Sequence, residues 1–63
     1  MNKKRVPIEV GDLCQWRAMP TIQSRVVSIE PSHFNTDIMI YTLKNSCRFQ
    51  KNEIRRIETN FIN

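Results

Sequence analysis

Glycine, histidine and cysteine are scarce in this chain of 63 residues, which has one Gly, one His and two Cys. A single Gly leaves no Gly-rich phosphate loop, and one His with two distant Cys cannot complete a zinc site. Neither a G-x-S-x-G nor an H-E-x-x-H motif occurs, and His33 stands alone in a polar loop. We therefore expect no enzymatic activity, no bound metal and no cofactor.

Long apolar runs are also missing. No stretch approaches the ~20 apolar residues of a membrane span, and the basic start MNKKR is not followed by a signal-peptide core. These features predict a cytoplasmic protein without a membrane partner. Cys14 and Cys47 alternate with polar residues inside apolar runs, so we expect small buried side chains in preference to a disulfide.

The length of the chain allows one small domain. We expect a disordered basic tail at 1–5, a single domain at 6–59 and a frayed C-terminus at 60–63. The net charge of the whole chain is +4. Three of its basic residues lie in the tail, and the rest of the chain carries seven basic and six acidic residues, a net charge of +1. The distribution of the charges along the chain, and not the net charge, must therefore indicate whether the domain binds nucleic acid.

Prolines and the single glycine cut the chain into short pieces that are rich in Val, Ile, Tyr, Phe and Thr, which predicts a mainly β fold. Residues 17–25 are expected to form a loop between the first two strands. The segment KNEIRRIE predicts a 3₁₀ turn before a closing strand. Alternation predicts outward Val26, Ser28 and Glu30, and a core anchored by Trp16. The predicted inward positions are Cys14, Trp16, Val27, Ile29, Met39, Tyr41, Leu43, Cys47 and Phe49.

The third predicted strand, DIMIYTLK, is apolar on both faces. Ile38 and Ile40 lie on the face opposite to Met39, Tyr41 and Leu43. A loop, a terminus or a second copy of the chain is needed to cover that face, so self-association is one expectation.

In order, VGDLCQW, SRVVSIE, DIMIYTLK, SCRFQ and NEIRRIE resemble the layout of SH3-like small barrels of the KOW and Tudor kinds, over about residues 10–58. The Gly-Asp pair before the first strand and the ending formed by Glu53, Ile54 and Ile57 carry the resemblance. It implies a five-stranded SH3-like barrel with a short 3₁₀ turn before the last strand. It also implies binding along the loop rims.

A local excess of positive charge in the last hairpin and the turn after it favours nucleic-acid binding, to DNA or RNA. The candidate phosphate contacts are Lys44, Arg48, Lys51, Arg55 and Arg56. Phe34, in the loop PSHFNTD, is the candidate for stacking on a base. A solvated charged face is the alternative interpretation of the five basic residues, and an ordinary capping aromatic is the alternative interpretation of Phe34.

A protein-binding adaptor or inhibitor that docks on a larger enzyme or regulator is the alternative function. Its candidate contacts are apolar: Met19, Pro20, Ile22, Ile38 and Ile40. An enzyme whose site forms only between subunits is a third hypothesis, because symmetric assembly can bring together residues that one chain keeps apart.

Overall fold

The computed structural model describes residues 7–59, whose regular structure is five antiparallel strands and one 3₁₀ turn. The strands are β1 (Leu13–Trp16), β2 (Met19–Pro31), β3 (Met39–Leu43), β4 (Arg48–Gln50) and β5 (Ile54–Glu58). The 3₁₀ turn, Lys51–Glu53, joins β4 to β5, and no α-helix occurs between residues 7 and 59. The predicted mainly β fold, with its 3₁₀ turn before the last strand, is confirmed. The predicted tails at 1–5 and 60–63 lie outside the described residues.

The strands are ordered β4-β3-β2-β1-β5, with the long β2 in the middle. The first half of β2 pairs with β1 and its second half, from Val26 to Pro31, pairs with β3. One strand therefore takes part in two ladders. The end strands β4 and β5 form no ladder with each other in the described range, so hydrogen bonds between them do not close the five-stranded sheet.

A bulge in β2 reverses part of the predicted inward and outward pattern. Val26 pairs with Leu43 and Ser28 with Thr42, which leaves Val27 as an extra residue. A bulge shifts the alternation by one residue, so side chains on its two sides no longer follow a single period of two. Val26 is accordingly 1% exposed and Val27 is 48% exposed. The prediction that Val27 faces inward and Val26 outward is wrong for this reason.

The predicted loop at 17–25 is mostly strand, because β2 begins at Met19 after a two-residue turn. Trp16 pairs with Met19 and Gln15 with Gln23, so residues 20–22 have no partner on β1. Pro20 lies in this irregular stretch, where its missing N–H interrupts no ladder. β2 therefore contains Pro20, although this proline indicated a loop in the sequence.

The core is small and lies between the two ladders. Its buried apolar members are Cys14, Val26, Tyr41, Leu43 and Ile54, and the half-buried Ile8, Ile29 and Phe49 pack against them. Trp16, the expected anchor, is half-buried, with its ring centroid 5.6 Å from that of Phe49. No helix of the described residues is long and apolar enough to cross a membrane.

Candidate binding surfaces

The fold separates Arg56 from the other four predicted phosphate contacts. Arg56 Nη1 donates to Asp12 Oδ2 at 3.3 Å and to the Pro7 carbonyl oxygen at 3.2 Å. Asp12 is 1% exposed, and its Oδ2 also accepts the Glu9 backbone N–H at 2.9 Å, as expected for an acid beside a Gly turn. The Arg56 guanidinium is thus used to balance a buried carboxylate.

The other four basic side chains are exposed. Lys44 lies in the β3–β4 turn, Arg48 on β4, Lys51 in the 3₁₀ turn and Arg55 on β5. None of the four forms an ion pair with another residue between positions 7 and 59. These four residues of the two end strands and of the turns before and after β4 are here called the basic ribbon.

Arg55 and Arg56 show why the predicted basic face divides. Successive side chains of a strand point to opposite faces of the sheet. Arg56 pairs across from Cys14, on the side of the buried thiol, whereas Arg55 pairs across from Gln15 and is exposed. The ribbon therefore keeps Arg55 and loses Arg56.

A groove of about 420 Å³, here called the Phe34 groove, lies against β3 and β4. The end of β2 and the loop after it border the groove on one side, and Arg48 of the ribbon borders it on the other. Glu30, Ile40 and Gln50 form a row across β2, β3 and β4, and all three line it. Apolar and polar side chains therefore alternate along the wall that the strands provide.

The loop after β2 is held by its own hydrogen bonds. The Ser32 N–H donates to the Ile38 carbonyl at 2.8 Å and the Ile38 N–H to the Asn35 carbonyl at 3.0 Å. The Phe34 N–H donates to Ser32 Oγ at 3.2 Å, and the Asp37 N–H donates to Asn35 Oδ1 at 3.0 Å. This ordered loop presents the Phe34 side chain at 100% exposure.

A second groove, of about 370 Å³, lies between the β1–β2 turn, the start of β3 and the 3₁₀ turn. Ile38, Met39 and Tyr41 supply its apolar lining, and Arg17 and Lys51 supply positive charge. Two hydrogen bonds hold Arg17 there. Its backbone N–H donates to the Glu53 carbonyl at 2.9 Å, and its side-chain Nε donates to the Ile54 carbonyl at 3.2 Å. We call this the Tyr41 groove.

The predicted apolar contacts do not form one surface. Ile38 lines the Tyr41 groove, whereas Ile40 lines the Phe34 groove beside the loop. Met19, Pro20 and Ile22 lie at the irregular start of β2, outside the lining of both grooves. The sequence did not indicate Arg17 as a contact residue, because its position in the Tyr41 groove depends on hydrogen bonds to residues far along the chain.

The two thiols differ in environment. Cys14 and Cys47 are both free, with Cys14 buried and Cys47 half-buried. Burial, and secondarily the Asp12 carboxylate, raises the pKa of the Cys14 thiol from 9.0 to about 11, although Arg56 opposes the shift. Cys14 therefore remains a neutral thiol at physiological pH, which makes it a poor nucleophile. Residues 7–59 contain no group of three His, Cys, Asp or Glu side chains that could hold a metal ion.

Comparison of the chain with protein-family models, with curated proteins and with solved structures found no significant match. The class that can be stated is therefore the one that the fold defines, a small five-stranded antiparallel β domain.

Proposed function

We propose that this chain is a non-enzymatic binding module that binds nucleic acid through the basic ribbon. The proposal rests on four exposed cations without a carboxylate partner in the described range: Lys44, Arg48, Lys51 and Arg55. Cations that are already paired gain little from a phosphate, whereas unpaired ones release counterions from the nucleic acid when they bind it.

The layout of the strands supports an SH3-like small barrel as the finer description of the fold. The order β4-β3-β2-β1-β5 and the 3₁₀ turn between the last two strands agree with that layout. The resemblance implies binding along the loop rims, and the ribbon includes both the β3–β4 turn and the 3₁₀ turn. Two of the proposed contacts, Lys44 and Lys51, therefore lie where this class of fold is expected to bind.

The salt dependence of binding tests the proposal. If all four cations contact phosphates, log affinity falls against log salt with a slope of about −3.6 on duplex and about −2.8 on a single strand. Affinity then drops about 150-fold or about 50-fold between 50 and 200 mM salt. Fluorescence-anisotropy titration of labelled oligonucleotides measures both values.

Substitutions along the ribbon should change the slope one contact at a time. Arg48→Gln, Lys51→Gln and Arg55→Gln are each expected to reduce its magnitude by about 0.7 to 0.9. Arg25→Gln is the matched control, because Arg25 is exposed, already pairs with Glu58 and lies outside the ribbon. No binding at 50 mM salt, or an equal reduction by the control, would refute the proposal.

Protein binding is the second candidate function, and the Tyr41 groove favours it. Met39 is 38% exposed there, beside Ile38 and the cations of Arg17 and Lys51. A larger enzyme or regulator could place an apolar side chain in this groove without any chemistry. Capture of a partner by the wild type and not by Met39→Ser would support this function. Equal capture by Met39→Ser would contradict the use of the groove.

A further inference from the structure

The fully exposed ring of Phe34 is the feature that the basic ribbon does not explain. Burying a Phe side chain is worth about 1.5–3 kcal/mol relative to leaving it in water. Phe34 gains none of this, because its side chain is 100% exposed. Its loop is nevertheless ordered by backbone and side-chain hydrogen bonds, including that of its own N–H to Ser32 Oγ. The fold therefore holds an aromatic ring in water.

The Phe34 groove connects this ring to the basic ribbon. Phe34 and Arg48 both line the groove, so a strand whose phosphate contacts Arg48 has a nucleotide at its opening. Two carboxylates, those of Glu30 and Glu53, also line it. Glu53 Oε1 accepts the Gln50 N–H at 2.7 Å and is partly occupied by that bond, whereas Glu30 lies beside Ile40 in the cross-strand row. Carboxylates repel a phosphate, so the part of the ligand that enters the groove is uncharged.

We infer that the ligand of this chain is single-stranded and that one of its unpaired bases stacks on Phe34 at the Phe34 groove. This inference rests on the proposed nucleic-acid function and adds the class of nucleic acid and the part that it presents. A base in a duplex is stacked on its neighbours and offers no free face, whereas a base in a single strand can turn toward an aromatic ring. Ile40 supplies an apolar contact in the groove, and the Gln50 side-chain amide supplies N–H donors for a base edge.

An abasic strand separates the base from the phosphates. It has the same length and charge as a normal single strand but lacks the bases. We expect wild-type protein to bind the normal strand roughly 5- to 150-fold more tightly than the abasic strand, the range that one base–aromatic stack produces. Phe34→Ala should remove most of this difference and leave the salt slope unchanged, because no phosphate contact is lost.

Two further variants control the result. Phe34→Tyr keeps the ring and is expected to keep the preference, whereas Phe34→Leu keeps an apolar side chain and is expected to lose it. Since Phe34 is fully exposed, all three variants should unfold at the same urea concentration as the wild type.

The outcomes distinguish the inference from the proposal on which it depends. Salt-dependent binding with equal affinity for normal and abasic strands, and no effect of Phe34→Ala, overturns the inference and leaves the basic ribbon standing. Tighter binding to duplex than to single strand would also overturn the inference and leave the basic ribbon standing. Failure of every oligonucleotide to bind at 50 mM salt overturns both and favours a protein ligand.

Discussion

Replacing Asp12 with alanine removes a carboxylate that the fold buries at the start of β1. Its Oδ2 accepts the Glu9 N–H at 2.9 Å and a guanidinium N–H of Arg56 at 3.3 Å. Each buried donor that is left unsatisfied costs about 1–3 kcal/mol, and breaking a buried ion pair costs about 3–5 kcal/mol. The side chain of Arg56 is 23% exposed, so water recovers part of this loss.

The expected cost of Asp12→Ala is therefore about 2–4 kcal/mol. A domain of this length has a free energy of unfolding of roughly 3–9 kcal/mol. The substitution should remove a large fraction of that stability. Asp12→Asn keeps an acceptor for the Glu9 N–H and loses only the charge, so it should fall between alanine and the wild type.

The Arg25–Glu58 ion pair is the matched control. Its side chains are 46% and 52% exposed, and exposed pairs contribute about 0–1 kcal/mol. Glu58→Ala should therefore cost little, and less in high salt, whereas the cost of Asp12→Ala should persist.

Urea unfolding followed by the fluorescence of Trp16, the single tryptophan, measures both variants. Equal losses of stability would refute the assignment of Asp12 as a buried structural carboxylate.

Three further predictions concern the core. The pKa of Cys14 is raised to about 11 in the folded protein, from 9.0 in the unfolded chain. The contribution of the Cys14 thiol to the free energy of unfolding is therefore fully present below pH 9 and is lost as pH rises toward 11. The free energy of unfolding should fall by up to about 2–3 kcal/mol over that interval, and Cys14→Ala should remove this part of the fall. At pH 8, a thiol reagent should modify Cys47 before Cys14, and equal rates would contradict the burial. Ile54→Ala should lower the free energy of unfolding by about 2–5 kcal/mol, because Ile54 is 1% exposed. Ile57→Ala should lower it far less in the same urea assay, because Ile57 is 41% exposed.

The elements with regular ladders could be predicted from the sequence. β3 pairs with β4 without a register shift, and the predicted inward Tyr41 and Leu43 are indeed buried. The β3–β4 hairpin and the 3₁₀ turn at Lys51–Glu53 were likewise indicated by local sequence patterns. A period of two in the sequence is informative where the chain itself keeps that period.

The misassigned parts of β2 have a common physical cause. At Val26 and Val27 a bulge inserts one residue, and no Gly in the sequence marks its position. At residues 20–22 the strand departs from its partner β1, and Pro20 indicated a loop. Both features depend on pairing with other strands, which a local pattern does not contain.

The candidate site was predictable in composition and not in arrangement. Sequence neighbours placed Arg55 and Arg56 in one basic group, although strand geometry sends them to different faces. The partner of Arg56 is Asp12, 44 residues earlier in the chain. Charge counts along the sequence cannot distinguish a cation that balances a buried acid from one that is free to bind a ligand.

The location of the ribbon on the end strands gives it a second explanation. Edge strands expose unpaired backbone groups, and charged side chains on them prevent pairing with other chains. Arg48 and Arg55 would serve that purpose in a protein that binds nothing. Phe34 has no such explanation, because an exposed aromatic ring protects no edge and promotes association instead. The Phe34 variants therefore discriminate between binding and edge protection more sharply than the charge variants do, since edge protection predicts no effect of Phe34→Ala on oligonucleotide affinity.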